Sequence, residues 1–209
     1  MSRRCLNCFR PAEYCLCKDI VPVDPGVKFV ILMHPWEAKR QKTGTGRLTA
    51  LCLDNAEIII GKSFDKNNRY RELLESDAFY PVILYPGTDS LTAAQFADSP
   101  SYITSGDGKT LLVFLVDATW VMARKMVHHT PSLQTLPRLS FQKPYRSRYE
   151  FKTQPDAHCL STIESTCFQI REMQDAGLIN PEVRTSGMMD VFQRLIDFQL
   201  DCEKRGSAP

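Results

Sequence analysis

The chain has 209 residues, of which 43% are hydrophobic and 24% charged, so it can bury a core and is not expected to be disordered. No stretch approaches the roughly 18 uninterrupted apolar residues of a membrane span, and the first residues lack the apolar segment of a signal peptide. We therefore expect a cytoplasmic protein. The net charge of +2 is uneven, because residues 1–47 carry nine Lys/Arg against four Asp/Glu. This indicates either a polyanionic partner or an ordinary solvated basic surface.

Four of the eight cysteines lie close together near the beginning of the chain, in the pattern C-x2-C-x6-C-x-C. Thiolates bind Zn²⁺, and four of them close a tetrahedral structural site, whereas cytosolic disulfides are rare. We predict a small zinc knob over residues 1–24, with the ligands Cys5, Cys8, Cys15 and Cys17. Iron and metal-free thiols are the alternatives. The other cysteines are expected to be small buried hydrophobes: Cys52, Cys159, Cys167 and Cys202.

Apolar runs along the rest of the chain predict strands that are buried on both faces, as in parallel sheets. Their spacing, with helical or loop connections of twenty-odd residues, favours a mainly parallel α/β sheet over residues 25–209. The predicted strands are 27–35, 56–60, 80–87, 111–116 and a short one within 136–141.

Helices are predicted after the glycine-containing loop at residues 44–47, around residues 91–98, and over 121–129, 161–177 and 181–204. Ser161 and Glu164 have the spacing of a capping box, so they have a structural explanation as well as a functional one. The last helix carries an apolar stripe that is either core or an oligomer face, which leaves a homodimer open.

The strand at 111–116 leads into Asp117, Ala118, Thr119 and Trp120. Ligands of open α/β sheets bind at the carboxyl ends of strands, so this segment is a candidate site. A carboxylate at the end of a buried strand is partly desolvated, which raises its pKa and its basicity. The alternative is that Asp117 caps the following helix and Trp120 belongs to the core.

Two basic segments are candidates for binding nucleic acid. Residues 39–47 combine cations with a glycine-containing loop that opens a helix, which is typical of an anion cradle but equally of a flexible surface loop. Residues 142–152 interleave cations with Tyr145, Tyr149 and Phe151, a pattern that suits base stacking with phosphate contact or local packing.

Asp117–Trp120 is also the D-x-T-W sequence after which the DTW-domain proteins are named, and other blocks resemble that family in the same order. Besides the cysteine segment with Arg10 and Pro11, they lie at residues 33–35, 42–48, 84–87, 136–138 and 160–164. Gly44, Lys152 and Ser165 depart from the Asn, Arg and Ala that are common in the family.

The resemblance implies a tRNA-uridine aminocarboxypropyltransferase, a transferase of the EC 2.5.1 class. Such an enzyme moves the 3-amino-3-carboxypropyl group of S-adenosylmethionine to N3 of a uridine (acp3U) and releases methylthioadenosine. It further implies a relative of the SPOUT superfamily, with a C-terminal trefoil knot that binds the cofactor.

The resemblance also assigns roles to residues. Catalysis is expected from Asp117, Thr119 and Trp120, with Asp117 as the base or the group that orients N3. S-adenosylmethionine is expected at Tyr85, Pro86, Gly87, Leu136, Pro137, Arg138, Ser161, Thr162 and Glu164. The expected tRNA contacts are Arg4, Arg10, Lys39, Arg40, Lys42, Thr45, Arg47, Arg124, Lys125, Arg146 and Arg148. His34 is either structural or substrate-facing, and His128 and His129 are expected at the surface.

Two other functions fit the same sequence. One is a SPOUT-type RNA methyltransferase, which would release adenosylhomocysteine instead of methylthioadenosine. The other is a non-enzymatic, zinc-dependent RNA-binding module, for which Asp117 would be dispensable.

Overall fold

A computed structural model of the chain describes residues 4–40, 44–148, 159–204 and 206, without the side chains of Arg40 and Glu203. The strands are β1 (Lys28–Met33), β2 (Ala56–Ile60), β3 (Phe79–Leu84), β4 (Thr110–Asp117) and β5 (Arg138–Leu139). The helices are α1 (Pro35–Arg40), α2 (Gly46–Leu51), α3 (Asn68–Leu74), α4 (Ala93–Ala97), α5 (Pro100–Ser105), α6 (Trp120–His128), α7 (Pro131–Thr135), α8 (Thr162–Asp175) and α9 (Ser186–Lys204). Two short 3-10 helices precede β1 in this part of the chain, at Ala12–Tyr14 and Cys17–Asp19.

Within the described residues the strands form one parallel sheet in the order β2-β1-β4-β3-β5. All six residues of β1 are buried, which explains the unbroken apolar run that follows Lys28. The central strand β4 pairs with β1 on one side and β3 on the other. The prediction of a mainly parallel α/β sheet is confirmed, and the trefoil knot and the SPOUT relation stay predictions.

The sheet separates two hydrophobic cores, because successive side chains of a strand point to opposite faces. On β4, Val113 and Leu115 face the core formed with α2, α4, α8 and α9. Leu112 and Phe114 face the other core, which contains residues of α3, α6 and α7. The apolar stripe of α9 lies in the first core, with Val191, Phe192 and their neighbours nearly fully buried, so the core interpretation of that stripe is confirmed.

The predicted strands all exist: 56–60 is reproduced, 111–116 is longer by one residue at each end, and the rest are shifted or shortened by a few residues. The prediction was wrong about the start of α9, which begins at Ser186, because 181–185 are not helical and the Gln174 side chain bonds to the carbonyls of Pro181 and Val183. Four short helices were missed, α1, α3, α5 and α7, since each has only five to seven residues and shows little periodicity.

The N-terminal segment packs on the last helix of the chain. The Tyr14 ring lies 4.2 Å from that of Phe198, and Arg194 pairs with Asp19 at 2.6 Å. A backbone bridge joins Val23 to Leu53 beyond α2. The segment therefore contacts the body of the protein closely, and the boundary at residue 24 stays a prediction.

None of the helices in the described part of the chain has the length and hydropathy that a membrane span requires.

Candidate active site at the carboxyl edge of the sheet

Asp117 is the last residue of β4 and lies beside Met33, the last residue of β1. It is buried, with 8% of its surface exposed. Its backbone carbonyl accepts a hydrogen bond from the His34 amide (3.0 Å), and its Oδ1 accepts one from the Thr162 hydroxyl (2.6 Å). Asp117 is thus fixed by the strand behind it and by the first residue of α8.

The loop before α2 closes on this carboxylate. A Cβ at Gly46 would lie 2.7 Å from Asp117 Cγ and 2.9 Å from Met33 Cε, so only glycine fits there without displacing its neighbours. Thr45 Oγ1 accepts a hydrogen bond from the Thr162 amide (3.1 Å). Three elements, β4, α2 and α8, therefore converge on Asp117.

The hydroxyl of Thr119, not the carboxylate of Asp117, caps the helix that follows β4. Thr119 Oγ1 accepts a hydrogen bond from the Met122 amide (3.4 Å), and α6 begins at Trp120. Trp120 is 41% exposed, so it is not a core residue. The alternative in which Asp117 is the cap and Trp120 belongs to the core is wrong on both points.

Trp120 instead forms part of an aromatic wall at the ends of β3 and β4. Its ring centroid lies 6.3 Å from that of Tyr85, and its Nε1 donates to Cys159 Sγ (2.9 Å). Burial raises the pKa of Tyr85. The expectation that Cys159 and Cys202 are buried hydrophobes was wrong, because both are partly exposed, whereas Cys52 and Cys167 are buried as expected.

The turn after β3 lies under the guanidinium of Arg138. A Cβ at Gly87 would lie 2.6 Å from Arg138 Nη1, and the same nitrogen pairs with Asp89 at 3.6 Å. Asp89 is largely exposed, so this pair is weak. Pro86 and Gly87 are exposed beside it, and Leu136 and Pro137 are half-buried.

Glu164 is fully buried, and its carboxylate is used within the protein. The capping box predicted for Ser161 and Glu164 is confirmed. The carboxylate also accepts from the Ser147 hydroxyl (2.8 Å) and the Arg148 amide (2.7 Å). Glu164 therefore fastens residues 147–148 to α8, and its expected role toward S-adenosylmethionine stays a prediction.

A second buried carboxylate on α8, Glu172, was missed by the sequence analysis. It accepts hydrogen bonds from the amides of Gln142 (2.9 and 3.0 Å) and Lys143 (3.3 Å). Between the two glutamates, Phe168 stacks on Tyr145 with ring centroids 4.0 Å apart. The i, i+4, i+8 spacing of 164, 168 and 172 along one helix face was the available signal. This face of α8 holds the basic segment 142–148 in place.

His34 follows β1 at the same edge of the sheet. Its Nδ1 accepts a hydrogen bond from the Trp36 amide (3.1 Å), which leaves Nε2 to carry the proton of the neutral ring. Burial, and then the positive charge of Lys62, lower the pKa of His34. His34, whose backbone amide bonds to the Asp117 carbonyl, therefore carries a neutral ring at neutral pH.

The four clustered cysteines have the arrangement that a tetrahedral metal requires. Their sulfurs lie within 4.8 Å of one another, with Cys5–Cys17 at 3.7 Å and Cys8–Cys15 at 3.8 Å. A Zn–S bond of ~2.3 Å gives tetrahedral edges of about 3.8 Å, so the thiol positions fit zinc. The amides of Cys8 and Asn7 lower the pKa of the Cys5 thiol to about 6, which favours the thiolate that binds metal.

Comparison with known proteins gives these features a family. The model of the DTW domain matches residues 2–200. The chain belongs to the DTW-domain family. One curated relative, "tRNA-uridine aminocarboxypropyltransferase 2" of Drosophila melanogaster, is 28% identical over 205 residues, which are 95% of this chain and 75% of the relative. No solved structure matches the chain.

In this DTW-domain chain the residues expected to contact tRNA are not equally accessible. Arg47 is partly exposed, whereas Thr45 and Arg10 are buried, with 4% and 7% of their surfaces exposed. Lys42 lies outside the described residues, as do Tyr149, Phe151 and Lys152 of the second basic segment. The exposed ones are Arg4, Lys39, Arg124, Lys125, Arg146 and Arg148, and His128 and His129 are exposed as expected.

Proposed function

We propose that this protein transfers the 3-amino-3-carboxypropyl group of S-adenosylmethionine to N3 of a tRNA uridine in the cytoplasm, forming acp3U. The observation that carries the proposal is the position of Asp117, where α2, β4 and α8 converge at the carboxyl edge of a parallel sheet. Membership of the DTW family and the name of the curated relative support the same reaction. A SPOUT-like knot around the C-terminal helices is part of the proposal.

S-adenosylmethionine would be held along the ends of β3 and β5. The Arg138 guanidinium over Gly87 suits the carboxylate of the methionine part, since its present partner Asp89 is exposed. Tyr85 and Trp120 offer aromatic surface for adenine. When bound, this donor supplies a sulfonium-activated carbon, to which uridine N3 bonds as the carbon–sulfur bond breaks and methylthioadenosine leaves.

The chain's own task is to position the uridine and to remove the N3 proton. Asp117 is the group that accepts or orients that proton, and Thr162 fixes the direction of the carboxylate through its 2.6 Å hydrogen bond. Thr119 holds the start of α6, which places Trp120 at the rim. His34 can donate from Nε2 to a uracil oxygen while Trp36 holds its Nδ1.

Zinc, in this proposal, is structural. The ligands Cys5, Cys8, Cys15 and Cys17 leave no open position for water or substrate. Burial raises the pKa of Cys17, so the charge of the metal is needed to deprotonate that thiol. The metal therefore stabilises a segment whose 3-10 helices bury no residues of their own.

The test is to incubate the purified protein with unmodified tRNA and S-adenosylmethionine, and to analyse nucleosides and the spent donor by mass spectrometry. The expected result is uridine heavier by the aminocarboxypropyl group, with methylthioadenosine in equal amount. Methylated nucleoside with adenosylhomocysteine would replace the proposal by the methyltransferase. Tight tRNA binding with neither product, across tRNAs from a strain lacking the protein, would favour the binding module.

A further inference from the structure

Phe9 occupies an unusual position in the cysteine knob. It follows Cys8 and has a φ of 59°, in the left-handed region that residues other than glycine rarely adopt. The turn is held by hydrogen bonds from the Cys5 amide to the Arg10 carbonyl (2.8 Å) and from the Phe9 amide to the Cys5 carbonyl (3.0 Å). Glycine adopts this conformation without strain, so the phenyl ring is a cost to the local backbone.

Burial of the ring does not offset that strain. Phe9 is 51% exposed, whereas a core residue of this protein such as Phe114 is fully buried. Its contact with the body of the protein is a cation: Arg47 Cζ lies 4.4 Å from the ring centroid. The guanidinium covers one face of the ring, and 51% of the residue's surface still remains exposed.

Arg47 connects this ring to the candidate active site. Its Nη2 donates to the Ala38 carbonyl (3.4 Å), so the guanidinium is fixed between α1 and the knob. In sequence Arg47 follows Gly46, where an added Cβ would collide with Asp117. Phe9 is therefore linked through Arg47 to the loop that closes on Asp117.

We propose that Phe9 and Arg47 form a stacking platform for an unpaired nucleobase of the RNA substrate, beside the uridine that reaches Asp117. An exposed aromatic face backed by a guanidinium binds bases through stacking and the neighbouring phosphate through charge. The exposed Arg4 on the same knob adds positive charge. This platform rests on the proposed function for the identity of its ligand as RNA.

The test measures binding of two short probes, oligouridine and a ribose-phosphate oligomer of equal length without bases, to the full-length, metal-loaded protein. Wild type should prefer oligouridine, and Phe9→Gly should lose about tenfold of that affinity, since one base–aromatic stack is removed. The Gly variant suits the positive φ, so it should fold and retain metal. Phe9→Leu removes the ring but keeps an apolar side chain, so it should also weaken the preference for oligouridine. Phe9→Trp keeps an aromatic ring and should keep that preference.

Leu6 supplies the matched control, because it lies on the same turn, is 87% exposed and is apolar. Leu6→Ala should bind both probes as wild type does. Equal affinity of wild type for the two probes, or an equal loss in Leu6→Ala and Phe9→Leu, would overturn the platform. If the protein forms acp3U but shows either of these binding results, the platform is rejected and the proposed function stands. If Phe9 confers a preference for bases but no product forms, the proposed function alone is rejected.

Discussion

The cysteine knob (residues 4–24) and the carboxyl edge of the sheet meet at Arg47, but they are held by different means. At the sheet edge Asp117 ends a strand whose apolar residues are buried on both faces, and Gly46 and the hydroxyl of Thr162 close around it. In the knob the 3-10 helices bury none of their residues, and four thiols cluster within 4.8 Å of one another, which is where we propose a zinc cross-link. Burial therefore positions the carboxylate, whereas in our proposal the knob needs a metal to hold Phe9 in its left-handed backbone conformation.

The largest effect on the rate of transfer is expected at Gly46, where there is no room for a side chain beside Asp117. Gly46→Ala inserts a methyl group against Asp117 and Met33, and a displaced carboxylate should lower the rate of transfer about 100-fold. Single-turnover kinetics with saturating tRNA measures this. Gly187→Ala, where a Cβ meets no atom within 4 Å, is the control. Equal rates in the two variants would show that Gly46 does not fix the carboxylate.

The structure of the knob should be sensitive to the loss of a thiol rather than to changes in side-chain packing. Cys8→Ser is expected to reduce the metal content from about one zinc ion per chain to nearly none, because one ligand of a closed site is lost. Elemental analysis of the purified protein measures it, and RNA affinity should fall with it. Cys202→Ser, outside the cluster, should keep the metal. Full zinc content in Cys8→Ser would reject the four-thiol site.

A substitution of Glu164 on α8 tests how the basic segment 142–148 is held. Glu164→Ala leaves the Arg148 and Ser161 amides without their acceptor and should cost about 2–4 kcal/mol in the free energy of unfolding. Denaturant titration measures this. Glu75→Ala, which removes an exposed pair with Arg71, should change stability by less than about 0.5 kcal/mol. A similar loss of stability in the two variants would show that the hydrogen bonds of Glu164 stabilise the fold no more than an exposed ion pair does.

The smallest effect concerns His34. Burial and the charge of Lys62 lower its pKa, so Lys62→Met should raise that pKa toward its ordinary value without reaching it. The neutral ring would then persist over a narrower range on the acidic side. NMR titration of the ring protons measures the shift, with the exposed His128 as internal reference. A lower pKa in the variant would contradict the assigned cause.

The sequence predicts the parallel sheet well because its strands are apolar runs that only a sheet covered on both faces can bury. It also places Asp117 at a strand end. It could not reveal that Thr162 bonds to Asp117 from 45 residues away, or that Gly46 touches it, since these contacts depend on how α8 and α2 pack. Glu164 is the opposite case. It was expected to contact S-adenosylmethionine, but its carboxylate accepts hydrogen bonds from Ser147 and Arg148 within the fold.

The most direct measurement of the central claim is the transfer rate of Asp117→Asn, alongside its affinity for tRNA. Asparagine keeps the size and can still accept from Thr162, but it cannot take a proton from uridine N3. The rate of acp3U formation should fall at least about 100-fold while tRNA affinity is unchanged, because general-base catalysis is lost. Asp117→Asn protein that forms acp3U at the wild-type rate would contradict the role given to this carboxylate.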